Sequence, residues 1–472
     1  MSRDIKRPYI HFLSNAANDV TGSCHLVRWK NYNILLDCGM IQFNDPYTSY
    51  KANQAQIKKI KIKEIDYIIL SHCHQDHGGL IPALFAKGCH AHVYVPRGSI
   101  PILRILWQDS AKIMQSDCIK IQNKHNIKAT PFYNNEDIER ALDRCIEIDF
   151  GAKYYPNDDF CFTYYYANHI ACSAQILLEL INGSIIKRIG YTGDIGSPFI
   201  RRPYLHDFEK LPRCNYLIAE CTYSAKSRNH TQKDRDKDIE KIVSVINQTI
   251  ENCGKLLIPV FALDRLETML TVLYDICIEH NINIPIIIDT PMGHKIANQW
   301  LDAIDYSQDV WETIYSWSNI KWVDEWATSQ AMQVKKEPMI VLAASGMMSA
   351  GRSVSWAKSI IENSKNHILF CGYSTPDTLA SKIKDHSNKY VTIDGETFKN
   401  KANITTLNSF SSHICHSELI DLYSNIDYDK IYLVHSQQDS KIEFAQELKE
   451  ALSNQIKSSK VICANADMKC YF

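Results

Sequence analysis

Asp66-Tyr-Ile-Ile-Leu70-Ser-His72-Cys-His74-Gln-Asp76-His77-Gly-Gly79 is the stretch that decides the fold. Its first half is a short apolar run of strand length, and its second half is the pattern HxHxDH. Residues two apart in an extended chain point to the same side, so His72 and His74 can grip one metal ion. Asp76 and His77 lie past a bend and can face a second ion beside the first. Histidines on a solvated surface would not need to follow directly on a buried strand.

Upstream, Ile10–Leu13, His25–Trp29 and Asn33–Asp37 read as strands punctuated near Gly22 and Gly39. Downstream, Gly79–Lys87 and Ile100–Gln122 carry apolar residues at helical spacing. Strands follow at Phe160–Ala167, Ala174–Leu180, Ile185–Tyr191 and Tyr216–Glu220. Past Cys221 the rhythm changes. The charge-dense stretch Ser224–Lys237 leads into a helix, and Lys255–Val260, Ile284–Asp289, Met339–Ala344 and His367–Gly372 then alternate with amphipathic helices. That is βαβ rhythm, which implies a mostly parallel sheet covered on both faces. The strand Lys430–His435 and the helix Lys441–Leu452 close the chain. A second domain inserted into the first is expected, with residues 1–220 and 391–472 forming one domain and 221–390 the other.

Two metals need more than four ligands. His169, after the strand Phe160–Ala167, and Asp194, in Tyr191-Thr-Gly-Asp194, stand at strand ends where ligands converge. A carboxylate can bridge two cations, and His435 ends its own strand. Each taken alone is explained equally well as a cap or turn residue. With HxHxDH they complete a binuclear set.

Composition sets the remaining bounds. A chain of 472 residues with 45% hydrophobic and 22% charged residues is long enough for two cores and is not of disordered type. Apolar runs such as Lys255–Leu263 fall short of the roughly 20 residues that span a bilayer. The charged opening Met1-Ser-Arg-Asp-Ile-Lys carries no apolar segment of leader length, so a cytoplasmic enzyme away from membranes is expected. The 16 cysteines are scattered with no CxxC pair and read as reduced, buried hydrophobes. A formal net charge of −1 gives no sign of nucleic acid; the runs Lys58–Lys63 and Lys226–Lys237 read first as solvated faces.

The order HxHxDH, lone His, Gly-Asp, late His resembles the metallo-β-lactamase superfamily, and further segments resemble its β-CASP branch of nucleic-acid hydrolases. Val20-Thr-Gly-Ser-Cys24 and Leu35-Leu-Asp-Cys-Gly39 look like its opening strands. Glu220-Cys-Thr-Tyr223 resembles its motif A, Ser409-Phe-Ser-Ser-His413 its motif B and Leu433-Val-His435 its motif C. Leu257–Leu263, Asp289-Thr-Pro-Met292 and Ala344-Ser-Gly-Met347 with Gly351-Arg352 look like blocks of its inserted domain. The similarity runs along nearly the whole chain and extends to short bacterial ribonucleases and to the endonuclease subunit of the pre-mRNA 3′-end cleavage complex.

The resemblance implies an α/β fold, a metallo-β-lactamase αββα sandwich carrying an inserted β-CASP domain. It implies two zinc ions, one on His72, His74 and His169 and one on Asp76, His77 and His435, bridged by Asp194. Manganese or iron would suit the same N/O donors. It implies hydrolysis of RNA, single-stranded for preference, by a hydroxide held between the metals, leaving 3′-hydroxyl and 5′-phosphate ends in endonuclease or 5′-exonuclease mode. Asp76, His413 and Glu220 would be catalytic, with His413 the general acid and Glu220 orienting it. Ser345, before a helix, and Arg265 and Arg352 would meet substrate phosphates. His416 reads as solvated or as support for the site.

The sequence departs from the family pattern at Cys415, where motif B continues to an Asp, at Ser436-Gln437 after motif C, at Asp264, and at Thr375-Pro376-Asp377. A DNA nuclease and an inactive RNA-binding partner subunit are the alternatives, and a homodimer or protein partners are left open.

Overall fold

The computed structural model describes residues 7–14, 18–197, 202–303, 308–372, 374–385, 387–426, 428–455 and 457–472. The chain divides into two compact units, one of residues 1–201, 206–229 and 413–472, the other of 202–205 and 230–412. No helix among the described residues is long and apolar enough to cross a membrane.

The first unit opens with β1 (Tyr9–Phe12), β2 (His25–Trp29), β3 (Tyr32–Leu36), β4 (Tyr67–Ile69), β5 (His92–Pro96) and β6 (Cys145–Ile148). It continues with β7 (Tyr154–Asn157), β8 (Phe160–Tyr166), β9 (Ala174–Asn182), β10 (Ile185–Tyr191) and β11 (Tyr216–Glu220). The second unit holds β12 (Lys255–Pro259), β13 (Ile286–Asp289), β14 (Ile320–Trp322), β15 (Met339–Ala343), β16 (His367–Cys371), the hairpin of β17 (Tyr390–Ile393) and β18 (Glu396–Lys399), and β19 (Asn403–Leu407). The chain then returns to the first unit for β20 (Lys430–Val434), β21 (Lys460–Cys463) and β22 (Lys469–Tyr471).

In the first unit two seven-stranded sheets run in the orders β22-β1-β2-β3-β4-β5-β6 and β21-β20-β11-β10-β9-β8-β7. Their facing sides bury Phe12, Val27, Ile69, Phe160, Tyr164, Ile176 and Tyr432 in a common core. Each sheet is half covered by its partner and needs helices on its outer face. Helix Ser99–His125 lies along β5 and β6, and helices His416–Ser424 and Gln438–Asn454 cover the other sheet through Leu419, Tyr423, Phe444 and Leu448. This is the αββα sandwich that the sequence implied.

The second unit's six-stranded sheet, β14-β13-β15-β12-β16-β19, is parallel throughout. β12, β13 and β15 are buried at every residue, as strands covered on both faces must be. The βαβ rhythm is therefore real. Residues 391–412, assigned from sequence to the first domain, belong here because Asn403–Leu407 pairs along its length with His367–Cys371.

Candidate active site

HxHxDH sits where β4 ends. The turn is stapled to the segments before β2 and after β3 by main-chain bonds: Ser23 N donates to Asp76 O at 2.7 Å, Cys38 N to His77 O at 2.8 Å and Met40 N to Gln75 O at 2.7 Å. Gly39 is obligatory there, since a Cβ would lie 1.6 Å from the carbonyl oxygen of Asp76. Asp194 follows β10 through Gly193, at φ +53°, whose Cβ would meet Ser71 Cβ at 2.7 Å. His435 ends β20 with its own φ at 58°, a left-handed conformation costly for a ring-bearing residue and retained at sites that need it.

The seven candidate ligands converge within the first unit. His74 Nδ1 lies 3.2 Å from His72 Nε2 and 3.3 Å from His169 Nε2. Asp194 Oδ2 is 3.8 Å from His72 Nε2 and 3.7 Å from His169 Nε2. On its other side, Oδ1 is 3.2 Å from His77 Nε2 and 3.4 Å from His435 Nδ1. Asp76 Oδ2 is 3.4 Å from His435 Nε2. One carboxylate thus presents one oxygen to each of two donor sets, His72-His74-His169 and Asp76-His77-His435.

This donor set fits a pair of cations. His72, His77, His169, Asp194 and His435 are all buried, and Asp194 Oδ1, although close to His77 Nε2, has no aligned hydrogen-bond partner among the described residues. Packing several imidazoles edge to edge around an unmatched carboxylate oxygen is costly unless positive charge enters among them. Burial drives His72 well below the ordinary imidazole pKa, and the neighbouring His77 adds to this, so His72 offers lone pairs. All donors are N or O; the set includes no thiolate.

Sequence reasoning missed the supports. Asp37, at φ 58° within the quoted Leu35–Gly39, was given no role. Its Oδ2 lies 2.7 Å from His77 Nδ1 and accepts from Ser71 Oγ at 2.7 Å and from Tyr191 OH at 2.6 Å. A proton held on Nδ1 leaves Nε2 of His77 free to face Asp194. Thr222 Oγ1 stands 2.9 Å from His435 Nδ1. Motif A points to Thr222 by proximity alone.

His413 Nδ1 is 3.4 Å from Glu220 Oε1, and its Nε2 is 4.0 Å from Asp194 Oδ2. Glu220 is buried and held by Ile195 N at 2.8 Å and Thr222 N at 3.0 Å. Burial pulls the His413 pKa down, but the charges of Glu220, Asp194 and Asp76 outweigh it and leave the imidazole above its ordinary value. Cys415 caps helix His416–Ser424, with Sγ 3.2 Å from Asn229 Oδ1. His416 is not solvated: it is buried, Nδ1 2.7 Å from Ser224 O and Nε2 3.3 Å from Glu447.

Ser345, Arg265 and Arg352 lie in the second unit. The helix expected directly after Ser345-Gly-Met begins only at Arg352, so those backbone N–H groups are not a helix N-terminus. Ser345 Oγ accepts from Ser349 N at 3.1 Å. Arg352 is spent on its own unit: Asp289 at 3.3 Å, the carbonyls of Asp324 at 2.6 Å and Glu325 at 3.3 Å, and the Trp326 ring at 4.7 Å. Arg265 opens helix Arg265–Glu279, and its Nη1 is buried with no hydrogen-bond partner among the described residues.

Comparison with known proteins agrees with this geometry. Residues 17–141 match the metallo-beta-lactamase superfamily, 266–383 the Beta-Casp domain and 399–458 the Zn-dependent metallo-hydrolase RNA specificity domain. The chain belongs to the β-CASP branch of the metallo-β-lactamase superfamily. It is 28% identical to Ribonuclease TTHA0252 of Thermus thermophilus over 434 residues, covering 90% of this chain and 92% of that one. It is 27% identical to transcription termination factor FttA of Methanocaldococcus jannaschii, covering 94% and 69%. Identity to Integrator complex subunit 11 of Danio rerio is also 27%, covering 96% and 72%. A solved structure of a protein of unknown function from Enterococcus faecalis shares the fold at TM-score 0.55 and 11% identity, covering 99% of this chain and all of that one. As a β-CASP metallo-hydrolase, the chain is a metal-dependent hydrolase, and the buried His/Asp cluster is its candidate metal centre.

Proposed function

We propose that this protein is a zinc-dependent ribonuclease that hydrolyses phosphodiester bonds of single-stranded RNA, leaving 3′-hydroxyl and 5′-phosphate ends. The observation that carries the reading is Asp194, one oxygen turned to each imidazole set, with the His413–Glu220 pair against its Oδ2 side. RNA as substrate is supported by the match to the RNA specificity domain and by relatives named as a ribonuclease and as factors of transcription. His72, His74 and His169 would hold one zinc ion, Asp76, His77 and His435 a second, and Asp194 would bridge. When bound, such ions supply Lewis acidity and lower the pKa of water to about 7.

The chain's own residues do the rest. Asp76, at the mouth of the cluster and half-buried, takes the proton that the attacking water gives up. As the P–O3′ bond breaks, His413 Nε2 delivers a proton to the departing 3′-oxygen, and Glu220 at Nδ1 aims the ring and stabilises its charged form. Ser345 meets a substrate phosphate, while Arg352 holds the Asp324–Trp326 turn. The test is a time course of wild type and Asp194→Asn on matched single-stranded RNA and DNA, labelled at each end in turn. Cleavage of RNA by wild type alone, with 3′-hydroxyl ends, is the expected result, and the ladder separates endonuclease from exonuclease action. Equal turnover by the variant removes the metal-centred reading, and cleavage of DNA alone removes RNA.

A further inference from the structure

Three arginines of the second unit, Arg202 buried and Arg235 and Arg265 partly buried, lie close together. Arg202 is 5% exposed and donates from Nη2 to Ser411 O at 3.1 Å. The guanidinium of Arg235, on helix Gln232–Glu251, lies 4.8 Å from the centre of the buried Phe410 ring. One turn further on, Asp238 ties that helix to the same segment, accepting from Asn408 N at 2.9 Å, Ser409 N at 3.0 Å and Ser409 Oγ at 2.8 Å. Tyr204 OH, beside Arg202 in the chain, contacts Thr268 Oγ1 at 2.6 Å and Asp264 Oδ1 at 3.4 Å, which brings it to the start of the helix that Arg265 opens.

Counter-charge is sparse: the exposed Asp236, which accepts from Gln232 Nε2 at 2.8 Å, acts on Arg235 from the solvent side. Nη1 of Arg235 and Nη1 of Arg265 are buried without an acceptor, and neither arginine forms an ion pair with a carboxylate among the described residues. The nearby acids are otherwise engaged. Asp238 is paired with Lys241 at 2.7 Å, Asp264 faces Tyr204, and Glu267 is fully buried and pushed well above the ordinary carboxyl pKa by burial. Burial and then the charges of Arg202 and Arg265 pull Arg235 below the usual guanidinium range. Two neighbouring guanidinium groups, each with an unmatched buried donor, are costly to fold and are relieved by an anion.

Its place in the sheet suits a ligand. β12 and β16 are neighbours, but the chain leaves β12 toward β13 and leaves β16 toward β19, on opposite sides. Ligands of parallel sheets bind beyond the carboxyl ends at such a switch point. Arg265 follows β12 there, and Phe410-Ser411 follows β19.

We propose that Arg235 and Arg265, with Arg202 behind them, form a binding site for a phosphate group in the second unit. Planar guanidinium forks match phosphate oxygens in pairs, and a phosphate dianion answers two unmatched cations where one carboxylate would not. The phosphate belongs either to a small phosphorylated ligand or to RNA.

The test is thermal unfolding of the full chain as inorganic phosphate is added, with ionic strength held constant by chloride. A ligand at about 100 times its Kd raises the wild-type midpoint by several degrees. Arg235→Gln and Arg265→Gln lose that rise, while Arg235→Lys keeps part of it. Without phosphate, each Gln variant melts no lower than wild type, because an unmatched buried cation has gone. No rise in wild type, or the same rise in both Gln variants, overturns the site, and Arg265→Gln decides the matter should Arg235→Gln not fold. A second arm measures the salt dependence of single-stranded RNA binding. A slope smaller by about one in Arg235→Gln assigns the phosphate to RNA, and an unchanged slope beside a lost phosphate response assigns it to a small ligand. Only this arm rests on the ribonuclease reading. If wild type binds no RNA, that reading falls while the phosphate response still stands or fails by itself.

Discussion

His413 and Glu220 meet across 193 positions of chain, and the contact gives each a part that neither has alone. Glu220 spends Oε1 and Oε2 on the backbone of Ile195 and Thr222, so it cannot turn, and the ring that rests on it is aimed. Replacing His413 by Ala is expected to lower turnover on RNA by about 10²–10⁴-fold, the usual worth of a general acid, with metal content per chain unchanged. Metal-normalised rates equal to wild type would take His413 out of the mechanism. Glu267 makes the opposite kind of residue-scale prediction. Its folded pKa is raised, so its contribution to stability is whole below the unfolded value near 4.5 and is lost as pH rises through the folded value. At neutral pH it is a cost, because both oxygens are buried and without a hydrogen-bond partner among the described residues. Glu267→Met is expected to raise the thermal midpoint at pH 8 by a few degrees and to change it little at pH 4.5. An equal gain at both pH values would mean that packing, not charge, limits the site.

Strand ends deliver the chemistry at the scale of the element. β4, β8, β10, β11 and β20 each run out within a few residues of a candidate ligand or acid–base residue, and Gly193 after β10 and His435 after β20 turn in left-handed conformation, as Asp37 does after β3. Asp37 joins three such elements, binding Ser71, Tyr191 and His77 at once. Asp37→Asn keeps the shape but weakens the acceptor, and metal affinity is expected to fall about 10–100-fold, as for other groups that orient ligating histidines. Competition with a chromophoric chelator measures this. Affinity equal to wild type would make Asp37 a folding residue only. That His77 needs such a partner was legible from chemistry, but which carboxylate supplied it was not, because Asp37 and His77 are neighbours only once β3 and β4 pair.

For the whole molecule, a metal that binds folded chain and not unfolded chain adds its binding free energy to stability. Chelation is therefore expected to lower the wild-type thermal midpoint by many degrees, with recovery on adding zinc. Asp194→Asn, lacking a full bridging carboxylate, should start lower and shift less. A wild-type midpoint indifferent to chelator would separate the cluster from metal altogether.

Sequence alone pointed to the fold class and to HxHxDH, which rest on local pattern, and proposed His169, Asp194 and His435 as ligands only in company with that motif. HxHxDH needs only the geometry of a strand and a bend, and βαβ rhythm needs only periodicity. Boundaries and supports needed three dimensions. Asn403–Leu407 looks like any short strand until its pairing with β16 carries it into the second unit. Arg352 reads as a phosphate contact until Asp289 and two carbonyls claim its donors, and nothing in the sequence joins Arg202 and Arg235 to Arg265. Hydrogen-bond satisfaction and charge balance are properties of neighbours distant in sequence, and only the tertiary structure decides who those neighbours are.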